Sequence, residues 1–375
     1  MKIPLSLAAA LLCLHASPAN GAEPEKIDVF TKDTDGYRSY RIPSVIVTTK
    51  GTVLAFCEGR KTGSGDSGDI DLVLKRSTDG GRTFSPQQIV WDDAENTCGN
   101  PCPVVDRTTG TVWLLLTHNL GKDNEHSIEK GEAQSTRTVW VSHSTDDGVT
   151  WAKPVEITSA VKKPEWTWYA TGPGAGIQTR KGRLVIPCDH RNRGEFSHVI
   201  YSDDHGKTWQ LGGVSDPGGN ECEVVELTDG KLLLNMRNYK PQRSSRAIAN
   251  SDDGGLTWSA SRLDPVLIEP TCQASLQRYS WPDAGKSRIL FSNPAHQKKR
   301  ENLTVRLSYD ECQTWPESKV LHPGPSAYSS LAALPDGTAV CFYENGEKNP
   351  YEKITLARFG LDWLTDSRDP GVVNK

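Results

Sequence analysis

Past its N-terminal segment the sequence has no apolar run long enough to cross a bilayer, which takes roughly 20 apolar residues. It has no basic excess either: 43 Lys and Arg stand against 47 Asp and Glu, a formal net charge of −4. A chain so balanced presents no field that gathers nucleic acid. Long amphipathic helical patterns are missing, which argues against a helical bundle. Cys98 and Cys102 have no second close cysteine pair, which argues against a structural zinc site. What is left is a protein of short strands with no membrane span and no nucleic-acid partner.

The one apolar run lies at the start. In MKIPLSLAAALLCLHASPANGA, residues 1–22, Lys2 precedes an apolar stretch from Leu5 to Leu14, then small residues, then the charged EPEK. That is the order of a secretory signal peptide, with cleavage expected near Gly21 or Ala22. The reading divides the chain into a leader, 1–22, and one exported domain, 23–375. Its destination is a periplasm or the extracellular space, or a lysosome in a eukaryotic cell. Of nine cysteines, Cys13 leaves with the leader. Export permits the others to form disulfides. Cys57 and Cys341 sit inside apolar strand-like runs and read as small buried hydrophobes. Asn302-Leu303-Thr304 is a glycosylation acceptor only in a eukaryotic secretory pathway.

An octapeptide recurs through the remainder: STDGGRTF (77–84), STDDGVTW (144–151), SDDHGKTW (202–209), SDDGGLTW (251–258) and SYDECQTW (308–315). The shared pattern is Ser-x-Asp-x-Gly-x-Thr-aromatic, with Phe84 and Cys312 as the departures. The Asp suits an Asx-type turn and the Gly a positive φ. The aromatic is expected to pack back under its own turn as the next strand begins. β-rich stretches flank each copy, and the copies start roughly 50 to 70 residues apart, the spacing of four-stranded propeller blades. Division at about 59 residues per blade gives six. The expected fold is all-β: a six-bladed β-propeller of four-stranded antiparallel blades. The repeat is expected to stabilise the blades and to take no part in catalysis.

Chemistry is then sought in what is not repeated. Arg41 stands in YRIPS, where the following Ile-Pro favours extended backbone. Arg237 ends the apolar run LLLNMRNY, and Arg300 precedes another in KKRENLTV. Arg246 and Arg306 compete for the same roles. With the repeats, these residues bring the chain to a family: it resembles the exo-α-sialidases of glycoside hydrolase family 33. The resemblance covers nearly the whole exported domain. It is carried by YRIP at 40–43, the five octapeptides (the family's Asp boxes), CEGRKTGSGDSGDIDLV, GNPCPVVD, NECEVVEL, SAYSSL and FYEN.

The resemblance implies roles for individual residues. Arg41, Arg237 and Arg300 match a carboxylate-binding arginine triad, and Glu344 the glutamate that braces its first member. Tyr328 matches the nucleophile and Glu221 the carboxylate that activates it. Asp66 matches the acid/base, with Asp69 close enough to leave the register open. Glu58 and Arg60 fall where the family lines its site. The chemistry suits these types. A planar guanidinium meets a carboxylate bidentately. A neutral phenol approaches an anionic sugar without the repulsion a carboxylate would meet, and needs a base because its ordinary pKa is about 10. Sialidases with a tyrosine nucleophile are a known exception to the two-carboxylate rule for glycosidases. No metal or organic cofactor is required. The implied substrates are sialylated glycoproteins, glycolipids or oligosaccharides, and the protein is expected to be a monomer.

Trp166, Trp168 and Tyr169 are candidates for the rim of the site or for blade packing, and residues 188–191, Glu125 and Glu129 are further rim candidates. Two other readings fit the scaffold. One is a trans-sialidase, an anhydro-forming sialidase or a hydrolase of another nonulosonic acid. The other is a propeller that binds glycans without cleaving them.

Overall fold

In the computed structural model, which describes residues 21–240 and 244–371, each β-rich stretch before an octapeptide is a strand. They are Ile70–Ser77, Thr138–Ser144, Glu195–Ser202, Ser245–Ser251 and Glu301–Ser308. Helices are short, the longest being Glu125–Lys130. No helix among the described residues is long and apolar enough to cross a membrane. The expected leader lies outside the described residues up to position 20.

The strands form four sheets of seven, five, four and eight strands. Pairing is antiparallel throughout except at Ile70 and Thr97, a single parallel pair that joins the two halves of the largest sheet. The 17-residue strand Glu317–Ala333 runs through the seven-stranded sheet, pairing with Glu301–Ser308 along its first part and with Ala339–Asn345 along its second. The first strand, Glu25–Thr31, pairs with Lys353–Phe359 near the far end of the chain.

The octapeptides do more than turn the chain. In each, two successive residues have positive φ: Gly80 and Gly81, Asp147 and Gly148, His205 and Gly206, Gly254 and Gly255, Glu311 and Cys312. In the turn at 251–258, Asp253 Oδ1 accepts from the N–H groups of Leu256 and Thr257 at 2.9 Å, and Oδ2 accepts from Thr257 Oγ1 at 2.7 Å. Ser251 Oγ donates to Asp253 and accepts from Gly255 N–H.

The aromatic does more than pack at its own turn, where Trp258 Cζ2 lies 3.8 Å from a Cβ placed on Gly255. It closes on the preceding group of strands. Trp151 meets Phe56 edge-on at 5.5 Å, Trp209 meets Trp113 at 6.4 Å, and Trp258 Nε1 donates to Gly213 O at 3.0 Å. The glycine allows the same approach, since a Cβ at Gly148 would fall 2.8 Å from Leu54 Cδ2. Each octapeptide therefore fastens one group of strands to the one before it.

A stability prediction follows from this. Burial pushes the Asp253 carboxyl up, but hydrogen bonds from Thr257 and Ser251 outweigh it and bring it to about 2. A folded-state pKa below the unfolded value stabilises above the unfolded pKa, and that stability is lost as pH falls from about 4 toward 2. Asp253→Ala removes these bonds outright. It is expected to cost about 1–3 kcal/mol and to lower Tm at neutral pH, with less additional loss on acidification than the parent. Catalytic loss in a protein of unchanged Tm would contradict a structural role.

All eight cysteines among the described residues are buried and free, so the disulfides that export permits are not formed. Burial raises the Cys57, Cys102 and Cys222 thiols well above their ordinary value, as expected of cysteines that serve as small core residues.

Candidate active site

Four strands carry one extra residue at the same end. Positions 42–43 oppose 57 alone, 100–101 oppose 116, 220–221 oppose 237, and 327–328 oppose 344. Such bulges re-aim side chains beside functional sites. Two of them set Glu221 across from Arg237 and Tyr328 across from Glu344. At a third, Ile42 has φ 62°, a left-handed conformation that costs a β-branched residue roughly 1–3 kcal/mol. The strained backbone directs its N–H at Glu344 Oε1, 2.9 Å away.

Glu344 is fully buried and occupied on every side. It accepts from Arg41 Nε at 3.0 Å, Arg41 Nη2 at 3.4 Å, and the backbone N–H of Ile42 and of Tyr328, the last at 3.1 Å. Burial opposes the Arg41 charge, but Glu344 outweighs it and holds the guanidinium ionised. Arg41 lies over the Tyr351 ring at 4.2 Å, and Arg300 Nη1 donates to the Tyr351 hydroxyl at 2.9 Å. Arg41 and Arg300 also lie 5.2 and 5.4 Å from the centre of the Tyr328 ring.

The Tyr328 hydroxyl donates to Glu221 Oε1 at 2.5 Å and accepts from Arg237 Nη1 at 3.0 Å. Arg237 Nη1 also reaches Glu221 Oε2 at 2.6 Å. Burial raises the phenol well above its ordinary pKa, and Glu221 adds to this, while Arg237 and Arg300 oppose it. Tyr328 is therefore a neutral phenol next to a carboxylate that can take its proton.

Asp66 comes from the loop after the strand Val53–Arg60. Arg60 Nη1 donates to Asp66 Oδ1 at 2.8 Å and to the carbonyls of Ser64 and Gly65, which fixes the loop. Arg60 is held in turn by Glu58, whose other oxygen accepts from Asn100 N–H at 2.8 Å. Burial raises the Asp66 carboxyl, but Arg60 and Arg41, the latter at 3.4 Å, bring it below its ordinary value. Asp69 points elsewhere, to Lys61 at 2.8 Å. The competing arginines are absent from the cavity lining. Arg246 pairs with Glu269 at 2.8 Å, fully buried, and Arg306 reaches Asn293 Oδ1 at 3.5 Å.

The nine residues singled out from sequence, Arg41, Glu58, Arg60, Asp66, Glu221, Arg237, Arg300, Tyr328 and Glu344, thus meet around one cavity, Glu344 from behind the wall. With its open mouth the cavity measures about 670 Å³. Its lining also carries Arg137, Asn220 and Tyr239, which sequence reasoning passed over, and Asp189, which lies within the rim candidates 188–191. Arg137 is buried, donates to Thr117 Oγ1 at 3.0 Å and Asn100 Oδ1 at 2.5 Å, and lies 3.9 Å over the Trp168 ring. Asp189 accepts from Asn220 Nδ2 at 3.2 Å, and burial holds its carboxyl well above the usual range. Tyr239 accepts from Arg237 Nη2 at 2.7 Å. Of the aromatic candidates, Trp168 lines the cavity, whereas Trp166 stacks on His190 at 3.4 Å inside the core with Tyr169. Glu125 and Arg191 line the cavity, and Glu129 sits just outside it.

The arrangement provides three guanidinium groups for an anion, a phenol–carboxylate pair for nucleophilic attack, and a separate carboxyl for proton transfer. Arg300→Ala removes one of the three guanidinium groups and the hydrogen bond to the Tyr351 hydroxyl. It is expected to raise KM and lower kcat together, because the contact serves both ground and transition states. Arg306→Ala should change neither, and the reverse pattern in steady-state kinetics would misplace the third arginine.

Residues 51–341 match the family model described as a BNR repeat-like domain. The chain is 37% identical to a sialidase of Micromonospora viridifaciens over 96% of its own length and 59% of that protein's. It is 34% identical to a sialidase of Bacteroides fragilis, covering 83% of this chain and 61% of the other. It is 35% identical to an exo-alpha-sialidase of Aspergillus fumigatus, covering 92% and 89%. The chain thus spans about three fifths of the two bacterial relatives. Among solved structures, the Hadza microbial sialidase Hz136 superposes with a TM-score of 0.82 at 32% identity, over 90% of this chain and 69% of that one. A leech intramolecular trans-sialidase shares the fold at 19% identity, with a TM-score of 0.78 over 91% of this chain and 71% of that one. The all-β architecture is the propeller of these structures.

Proposed function

The chain belongs to the sialidase family, and from that premise we propose that it is an exported, retaining exo-α-sialidase that removes terminal sialic acids from glycoproteins, glycolipids or oligosaccharides. Residues 1–22 are the leader that is removed, and 23–375 fold as one six-bladed propeller that works as a monomer. Six blades are supported by the way the two large sheets divide. The eight-stranded one is joined at a single residue pair, and the seven-stranded one is shared through the long strand Glu317–Ala333.

Arg41, Arg237 and Arg300 receive the sugar carboxylate, and Glu344 holds Arg41 in place. Tyr328 Oη attacks the anomeric carbon as Glu221 takes the phenolic proton. The glycosidic C–O bond breaks, and Asp66 gives its proton to the leaving oxygen. Asp66, now a carboxylate, then takes a proton from water as that water attacks the same carbon. The tyrosyl bond breaks and the phenolate recovers its proton from Glu221. Two displacements return the original anomeric configuration. Arg41 also couples binding to acid catalysis. In the free protein it helps keep Asp66 ionised. A bound carboxylate shares that guanidinium and adds negative charge, both of which favour the protonated Asp66 that the first step needs. Arg60 and Glu58 keep the Asp66 loop in reach.

The observation that carries this reading is the 2.5 Å bond from Tyr328 to Glu221 within a cluster of three arginines. The test is release of 4-methylumbelliferone from its α-N-acetylneuraminic acid glycoside, with proton NMR of the first-formed sugar. Release with the α-anomer appearing first is expected. The β-anomer first would rule out the double displacement, and no release by the folded protein would remove the activity.

A further inference from the structure

Beyond Asp66 the cavity opens into a second, outer cavity of about 780 Å³. The two share Asp66, Glu125, Arg191 and Tyr239, and the outer one adds Ser67, Asn124, His126 and Glu129. All the added residues but Ser67 belong to the short helix Glu125–Lys130 and its cap, where Asn124 Oδ1 accepts from Ser127 N–H. We propose that the outer cavity receives the leaving group and discriminates by charge. It admits a neutral sugar next to the terminal sialic acid and turns away an anionic one, so that a sialic acid α2,8-linked to a second sialic acid is a poor substrate. This rests on the sialidase reading above.

The direction comes from Asp66. The group that protonates the leaving oxygen stands in the wall common to both cavities, so the bond that breaks lies at their boundary and the leaving sugar extends outward. The charge comes from the lining. The inner cavity sets the guanidinium groups of Arg41, Arg60, Arg137, Arg191, Arg237 and Arg300 against the carboxyl groups of Glu58, Asp66, Glu125, Asp189 and Glu221. The outer one has Glu125 and Glu129, with Asp66 as the protonated acid, and beside them His126 and one guanidinium, Arg191. That guanidinium is already shared among Glu125 at 2.9 Å, Glu129, and Glu195 at 2.6 Å. A second sugar carboxylate entering this space meets like charge with no guanidinium left to neutralise it, an arrangement that excludes partners. Hydroxyl groups of a neutral hexose instead find acceptors on the same carboxylates.

The experiment compares initial kcat/KM for 3′-sialyllactose and for an α2,8-linked disialyl oligosaccharide at low ionic strength. The disialyl substrate is expected to be worse by about tenfold or more. The gap should narrow as salt is raised, because the interaction is screened. It should also narrow in Glu129→Gln, a residue that lines the outer cavity alone. Comparing both substrates within each protein cancels any loss of folded enzyme. Equal rates, or a gap that neither salt nor Glu129→Gln alters, would overturn the proposal. Failure to cleave the methylumbelliferyl glycoside as well is a different result, and it removes the sialidase reading itself.

Discussion

Tyr328→Phe is expected to fold and bind as the parent does and to lose on the order of 10³-fold or more in kcat on 3′-sialyllactose. The ring stays packed against Ile42, Cys272 and Ala327, so the wall keeps its shape. Glu221 keeps its ion pair with Arg237 at 2.6 Å, so no buried carboxylate is stranded. Arg41 and Arg300 keep Glu344 and Tyr351 as partners. Only the oxygen that would bond to the anomeric carbon is gone. Binding of a carboxylate-bearing inhibitor, measured by calorimetry, should therefore stay within a few-fold while turnover collapses. Turnover near that of the parent would take Tyr328 out of the mechanism.

The second large effect is expected at Glu344, and it should appear in stability as well as in rate. Glu344→Ala removes the carboxylate that accepts from Arg41 twice and from two backbone N–H groups. The Arg41 charge is then left buried with only Asp66 near it, at 3.4 Å. Breaking a buried pair from one side costs about 3–5 kcal/mol. The released N–H groups belong to Ile42, whose left-handed backbone Glu344 helps to hold, and to Tyr328 itself. The unfolding temperature should therefore fall clearly, and the surviving folded protein should turn over poorly because both Arg41 and Tyr328 have lost their anchor. Glu344→Gln, which retains one acceptor oxygen, should lie between. An unchanged Tm together with unchanged kinetics would deny Glu344 this role.

The sequence revealed the site unevenly, and the reasons are physical. The residues beside bulges were legible because their neighbours are distinctive: YRIP around Arg41, NECEV around Glu221, SAYSS around Tyr328. Asp66 and Asp69 were not separable by motif, because both sit in one glycine-rich loop, and only the position of Arg60 against Lys61 tells them apart. Arg137, Asn220 and Tyr239 escaped because each reaches the cavity from within or just beside a strand whose sequence reads as ordinary packing. The one available signal for Arg137 was the pattern already used for Arg237 and Arg300, an arginine at the end of an apolar strand run. Tyr351 gave no signal at all, since its loop, KNPYEK, has nothing to mark it. The repeats predicted turns and strand order well. They left out the aromatic's second contact, which lies on the preceding strands and so is invisible to a local reading.

The pairing of Glu25–Thr31 with Lys353–Phe359, and the bond between Arg41 and Glu344 across 303 positions, have a consequence for the protein's biogenesis. Arg41 is made 303 residues before its brace, so a nascent chain carries no assembled site until Glu344 has followed it. Contacts so far apart in sequence form late and slowly. A partly made chain therefore has no closed cavity, and the site assembles in one step, when Glu344 reaches Arg41 and Glu25–Thr31 pairs with Lys353–Phe359.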